Sequence, residues 1–164
     1  MNVPAPAWRD LRDPVLLVAC GFGSGLAPRA PGTAGTLLAA VLWVGMFAAL
    51  PWVAQGLVAV VAGVFGVWLC DRAVVRLGVD DHPAIVWDEF AGVWLALWLA
   101  GPGWLAVILA VVAFRVLDIA KPWPVGAAER RWNGGLGVMA DDLVAGVLAG
   151  AFAALTATLI ERMF

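Results

Sequence analysis

The stretch from Phe114 to Gly146 decides the fold. It runs Phe114-Arg-Val-Leu-Asp-Ile-Ala-Lys-Pro-Trp-Pro124, then Glu129-Arg130-Arg131, Asn133-Gly134-Gly135 and Asp141-Asp142. It gathers cations and acids between two long apolar runs, in a chain that is only 13% charged. The runs on either side, about Trp104 to Ala120 and about Val138 to Ile160, read as helices. Lys121-Pro122 stops the first of them, because proline clashes with the preceding turn and donates no hydrogen bond.

Working outward, a third apolar helix of about Ala84 to Ala100 carries Asp88-Glu89 and ends at the tight turn Gly101-Pro102-Gly103. Ahead of it, residues 72–83 form a polar loop with Arg76, Asp80, Asp81 and His82. A helix of about Val53 to Cys70, closed by Asp71-Arg72, follows one of about Thr36 to Leu50 that Pro51 ends. The glycines and prolines of Gly21-Phe-Gly-Ser-Gly25 and Pro28-Arg-Ala-Pro-Gly-Thr-Ala-Gly-Thr36 predict a tight loop instead of a regular helix. Leu16 to Cys20 is apolar but short, and the proline-rich start reads as a loose tail or a surface helix from Trp8. The division expected is a tail or surface segment over residues 1–20 and one membrane-embedded domain over residues 21–164.

Composition assigns the class. The 164 residues are 63% hydrophobic, with a mean hydropathy of +0.94, against roughly 45–50% apolar in soluble domains. Leu57 to Leu69 and Trp104 to Phe114 carry no charge at all, so they lack the polar face of a soluble amphipathic helix. Crossing a bilayer takes about 20 apolar residues, and these runs are a little short. The expectation is therefore an all-α, compact polytopic bundle of about five transmembrane or partly inserted helices. A net charge of −2 with no basic run excludes a nucleic-acid partner. Cys20 and Cys70 read as small buried hydrophobes. No cleavable signal sequence is expected, since Asp10, Asp13 and three prolines occupy the start.

Nearly all Arg and Lys fall in the N-terminal segment, residues 72–83 and the loop after Lys121, and none in the turns at Pro51 and Pro102. The positive-inside rule assigns the charged connections to the cytoplasm. Several of the ten tryptophans, among them Trp52, Trp87, Trp104 and Trp123, lie near helix ends, where aromatic belts sit.

This topology brings Asp88, Glu89, Asp118, Asp141 and Asp142 to one face, each about a turn inside an apolar run. Ionisable groups at such depth are costly and mark function. Carboxylates so close repel unless a hard divalent cation such as Mg²⁺, with its preference for oxygen ligands, neutralises them. Pairing within the helix is the competing account of Asp118, since Arg115 and Lys121 lie three residues either side of it. Every fourth residue after Asp88 is Gly92, Ala96 and Ala100, and after Asp142 it is Gly146, Gly150 and Ala154. Such small-residue stripes let membrane helices approach closely, so the two faces should meet and point the carboxylates at one another. Glu89 and Asp141 should flank them. The segment Pro31-Gly-Thr-Ala-Gly-Thr36 leads into a helix, and backbone N–H groups at a helix start hold anions. With Arg115 and Lys121 nearby it reads as a phosphate site, with Gly32, Thr33 and Ser24 as candidate contacts. His82, the only histidine, reads as a solvated loop residue that can also touch substrate.

Four segments now show a family resemblance: Gly21 to Thr36, Asp81-His82 with Ile85-Val-Trp-Asp-Glu-Phe-Ala-Gly92, Phe114 to Pro124, and Gly135-Leu-Gly-Val-Met-Ala-Asp-Asp-Leu-Val-Ala-Gly146. In this order and spacing they resemble the phosphatidylglycerophosphatase A family. The resemblance implies a Mg²⁺-dependent lipid phosphatase of the bacterial inner membrane, converting phosphatidylglycerophosphate to phosphatidylglycerol and inorganic phosphate. It implies Asp88, Glu89, Asp118, Asp141 and Asp142 as the metal and catalytic residues, and Arg115 and Lys121 as phosphate contacts. A water nucleophile with a carboxylate base and direct attack by an Asp both stay open. A CDP-alcohol phosphotransferase does not fit, because Asp141-Asp142 continues into Leu-Val-Ala-Gly with no further acid before Glu161. One histidine excludes lipid phosphatases that need two. An ion channel would spread its acids through the membrane depth and would show inverted repeats of broken helices.

Overall fold

The computed structural model describes residues 6–79 and 82–163, and among these every regular element is helical. A short 3₁₀ turn at Asp10–Arg12 leads into α1 (Pro14–Ala19), and a second covers Gly21–Leu26. Then come α2 (Pro31–Leu42), α3 (Trp52–Leu77), α4 (Trp87–Ala100), α5 (Trp104–Ala120), α6 (Val125–Glu129) and α7 (Gly134–Met163).

Helix α4 is the axis. Phe90, Ala91, Val93 and Ala96 on it are fully buried, and α2, α3, α5 and α7 surround it. Its two faces are covered for different reasons. Towards α7 the residues are small: a Cβ on Gly92 would lie 2.7 Å from the Asp142 carbonyl, and one on Gly150 2.7 Å from the Ala96 carbonyl. The expected meeting of the Asp88 and Asp142 stripes is thus what the backbone does. Towards α2 and α3 the residues are large and anchored. Trp94 Nε1 donates to the Ala39 carbonyl at 2.9 Å and Trp87 Nε1 to the Ala62 carbonyl at 3.1 Å. Trp87 therefore belongs to the core and not to an aromatic belt, whereas Trp52, Trp104 and Trp123 are exposed as a belt requires.

The outside of the bundle is apolar. Val41, Val53, Leu57, Val64, Ile108, Val112, Val116, Phe152 and Leu155 all face outward. A large apolar outer surface needs a cover, and two helices, Trp52–Leu77 and Gly134–Met163, are long and apolar enough to cross a membrane. At 1.5 Å per residue, α4 and α5 are shorter, in keeping with partial insertion.

Several helix boundaries differ from expectation, including that of α4, which begins at Trp87 instead of about Ala84. Helix α2 begins at Pro31 instead of Thr36, because proline at the first helical position needs no donor and Ala30 turns the chain in with φ 48°. Five residues of π-helix at Trp43–Phe47 extend it. Helix α3 runs through Asp71-Arg72 to Leu77, where Gly78 caps it with φ 72°. Helix α7 starts at Gly134, a turn before Val138. Gly135 lies so close to the Val67 carbonyl that a side chain there would collide with it. At the other end of the chain, α1 packs on α3, Cys20 is fully buried, and Arg76 Nε reaches Asp13 Oδ2 at 2.6 Å. Both cysteines are free and buried, as expected.

Candidate active site

One end of the bundle opens into a pocket of about 510 Å³. Three helix N-termini reach it, those of α2 (Pro31, Gly32), α4 (Asp88, Glu89) and α7 (Gly134, Gly137), together with the C-terminal turn of α5. Six carboxylates line it, Asp88, Glu89, Asp118, Glu129, Asp141 and Asp142, against two cations, Arg115 and Lys121. The five acids expected to converge do so from three separate helices.

The cations are held by acids of the same site. Arg115 Nη1 pairs closely with Asp118 and lies 3.8 Å from Glu89 Oε1. From α2, the Thr36 hydroxyl accepts from Arg115 Nη1 at 3.4 Å and the Thr33 hydroxyl accepts from Nη2 at 3.3 Å. Thr36 in turn donates to the Gly32 carbonyl at 2.9 Å. At Gly32 a Cβ would displace the Glu89 carboxylate, whose Oε1 lies in that space. Lys121 turns the chain out of α5 with φ 43°. That turn swings it away from Asp118, the partner its spacing suggested, onto Asp141 Oδ2 at 2.7 Å and Glu129 Oε1 at 2.6 Å. Partial burial works against its charge, yet these two carboxylates hold its pKa above the ordinary lysine value.

The remaining acids are unpaired. No cation among the described residues pairs with Asp88 or Asp142. Glu89 Oε2 is buried without a partner, and Asp142 is only 3% exposed. One oxygen from each of Asp88, Glu89 and Asp142 lies within 4.8 Å of the others, and so does one from each of Asp118, Asp141 and Asp142. A hard cation takes oxygen ligands at about 2.0–2.6 Å, so ligands across it stand roughly 4–5 Å apart. The donor set and its orphaned oxygen fit such an ion.

Other expected residues lie elsewhere. Ser24 Oγ bonds the Gly21 carbonyl within its own turn at 2.8 Å and does not line the pocket. His82 is no solvated loop residue: it is 1% exposed, and its Nδ1 accepts from the Ala84 N–H at 3.0 Å. It does not line the pocket, although its chain neighbours Pro83 and Ile85 do. Asp81, quoted beside it, lies outside the described residues. Sequence reading missed Glu129, Thr36, Trp132 and Asn133. Glu129 stood in the charged run already noted, and Thr36 stands three residues after Thr33, on its helical face.

Such a molecule is a membrane-type helical bundle with an acidic, cation-bearing pocket at its end. The phosphatidylglycerophosphatase A family profile matches residues 17–157. The chain is similar to phosphatidylglycerophosphatase A of Escherichia coli K12, 44% identical over 85% of this chain and 81% of that one. It is 36% identical to the Haemophilus influenzae protein of the same name, over 85% and 86%. A Bacteroides thetaiotaomicron protein provisionally named as a phosphatidylinositol-3-phosphatase is 41% identical over 80% and 86%. The chain belongs to the phosphatidylglycerophosphatase A family. No solved structure matches it.

Proposed function

We propose that this chain is a Mg²⁺-dependent lipid phosphatase of the bacterial inner membrane that hydrolyses phosphatidylglycerophosphate to phosphatidylglycerol and inorganic phosphate. The observation that carries it is six carboxylates and two cations in one pocket at the end of an apolar-sided bundle, in a chain of this family. A lipid headgroup reaches such a pocket while its tails stay among the outward apolar residues. Nearly all the cations fall in the pocket-side connections, which supports a multi-pass orientation with the site at the cytoplasmic face.

Asp88, Glu89, Asp118, Asp141 and Asp142 would hold the ion, which supplies Lewis-acid neutralisation of phosphate charge. Arg115 and Lys121 bind phosphate oxygens, with Arg115 aimed by Thr33 and Thr36. The converging helix N-termini add partial positive charge. An unpaired carboxylate accepts the proton of the attacking water as its oxygen bonds to phosphorus. The phosphorus–oxygen bond to glycerol then breaks, and the same carboxyl group returns that proton to the glycerol oxygen. The test is phosphate release by purified protein from phosphatidylglycerophosphate, with phosphatidylinositol 3-phosphate as the comparison lipid. Turnover of the first well above the second is expected. Preference for the second would move this chain to the activity named for the Bacteroides relative, and release from neither would end the reading.

A further inference from the structure

We propose that Asp142 is a shared ligand to two divalent cations, one completed by Asp88 and Glu89, the other by Asp118 and Asp141. The inference rests on the divalent-ion reading above and adds a number and a division of ligands to it. Two sets of three carboxylates each close to within 4.8 Å, and Asp142 is the one member common to both. A carboxylate has two oxygens and can serve two ions, as happens in phosphoryl-transfer sites that clamp both the attacking and the leaving oxygen.

Asp142 suits that position. It is 97% buried, since only 3% is exposed, it lines the pocket, and no cation among the described residues pairs with it. A buried carboxylate without a counter-charge is costly. Its backbone is fixed, because the Asp142 carbonyl lies against Gly92 with no room for a Cβ between them. The resident cations leave both sets usable. Arg115 holds Oδ2 of Asp118 and Lys121 holds Oδ2 of Asp141, so the second oxygen of each remains. On the other side, Glu89 Oε2 is buried and unpartnered. Charge supports the count as well. Six carboxylates against two cations leave four formal negative charges in the pocket; one divalent ion balances half of them, two balance all.

The test uses Mn²⁺ as a paramagnetic probe on the full chain, purified in detergent and stripped with chelator. Titration followed by electron paramagnetic resonance should show two Mn²⁺ bound per chain and a spin-coupled spectrum at saturation, since ions sharing one carboxylate lie close together. Glu89→Gln and Asp118→Asn should each leave one Mn²⁺ with an uncoupled spectrum, and Asp142→Asn should weaken both sites by at least about tenfold. Unchanged thermal unfolding of the metal-free variants shows that they fold. The unmodified protein needs no such control. One Mn²⁺ per chain, or two with uncoupled spectra, overturns the shared-ligand proposal while leaving a single-ion phosphatase standing. No bound Mn²⁺ overturns both readings.

Discussion

Arg115 shows how a single residue is made useful by its neighbours. Its guanidinium is half-buried, charged and forked, held between Asp118 and Glu89 on one side and two hydroxyls from α2 on the other. Thr36, fully buried, gives Arg115 Nη1 an acceptor while its own proton is spent on the Gly32 carbonyl. Thr36→Val keeps the shape and removes the acceptor. Hydrogen bonds to charged groups contribute about 1.5–3 kcal/mol, and at 3.4 Å this one belongs at the low end. A fall of about tenfold in kcat/KM is expected, with an unchanged thermal midpoint and with recovery in Thr36→Ser. If Thr36→Val kept the parent kcat/KM, Thr36 would be a packing residue only. The acids were legible in sequence because a charge inside an apolar run is conspicuous. Thr36 was not, because a threonine at a helix start has many ordinary reasons to be there. Trp87 misled because its position near a helix end does not reveal whether the ring points to lipid or inward to a carbonyl. His82 misled in the same way, a polar side chain in a polar loop that turned out to be buried.

At the scale of elements, the contact of α4 with α7 sets the distance between Asp88 and Asp142, and it depends on residues with no side chain to interpose. Gly150→Leu would push the Ala96 backbone away from α7. Overpacking of this kind costs about 1–3 kcal/mol or more. A lowered thermal midpoint in detergent and a loss of activity are expected together. The contrasting variant is Gly45→Leu in the π-helical turn, where nothing lies within 4 Å of an added Cβ, and it should change neither. Equal behaviour of the two variants would remove the close approach as the cause. The α4–α7 contact was readable because small residues four apart leave one physical interpretation in a membrane helix. The starts of α2 and α7 were not. Their prolines and glycines signal loops in general, and only the Val67 carbonyl facing Gly135 explains why glycine sits inside the start of α7.

The whole molecule joins an apolar flank to a charged end. A buried central helix is surrounded by outward-facing valines, leucines and phenylalanines, and the acids and cations of the pocket gather at one end. The helical class and the gathering of five acids followed from hydropathy and spacing, whereas the hydrogen-bonded clamp on Arg115 needed coordinates. Two of the six pocket carboxylates are bound to Lys121 and two face Arg115, so what remains unpaired is what an added cation must satisfy. The most direct measurement is phosphate release from phosphatidylglycerophosphate by the purified chain after exhaustive chelation, followed by Mg²⁺ titration. The account predicts that turnover falls by at least about 10²-fold without the ion, as expected when charge stabilisation at the phosphoryl group is removed, and returns on adding Mg²⁺. Turnover that persists at the parent rate in chelator would contradict it.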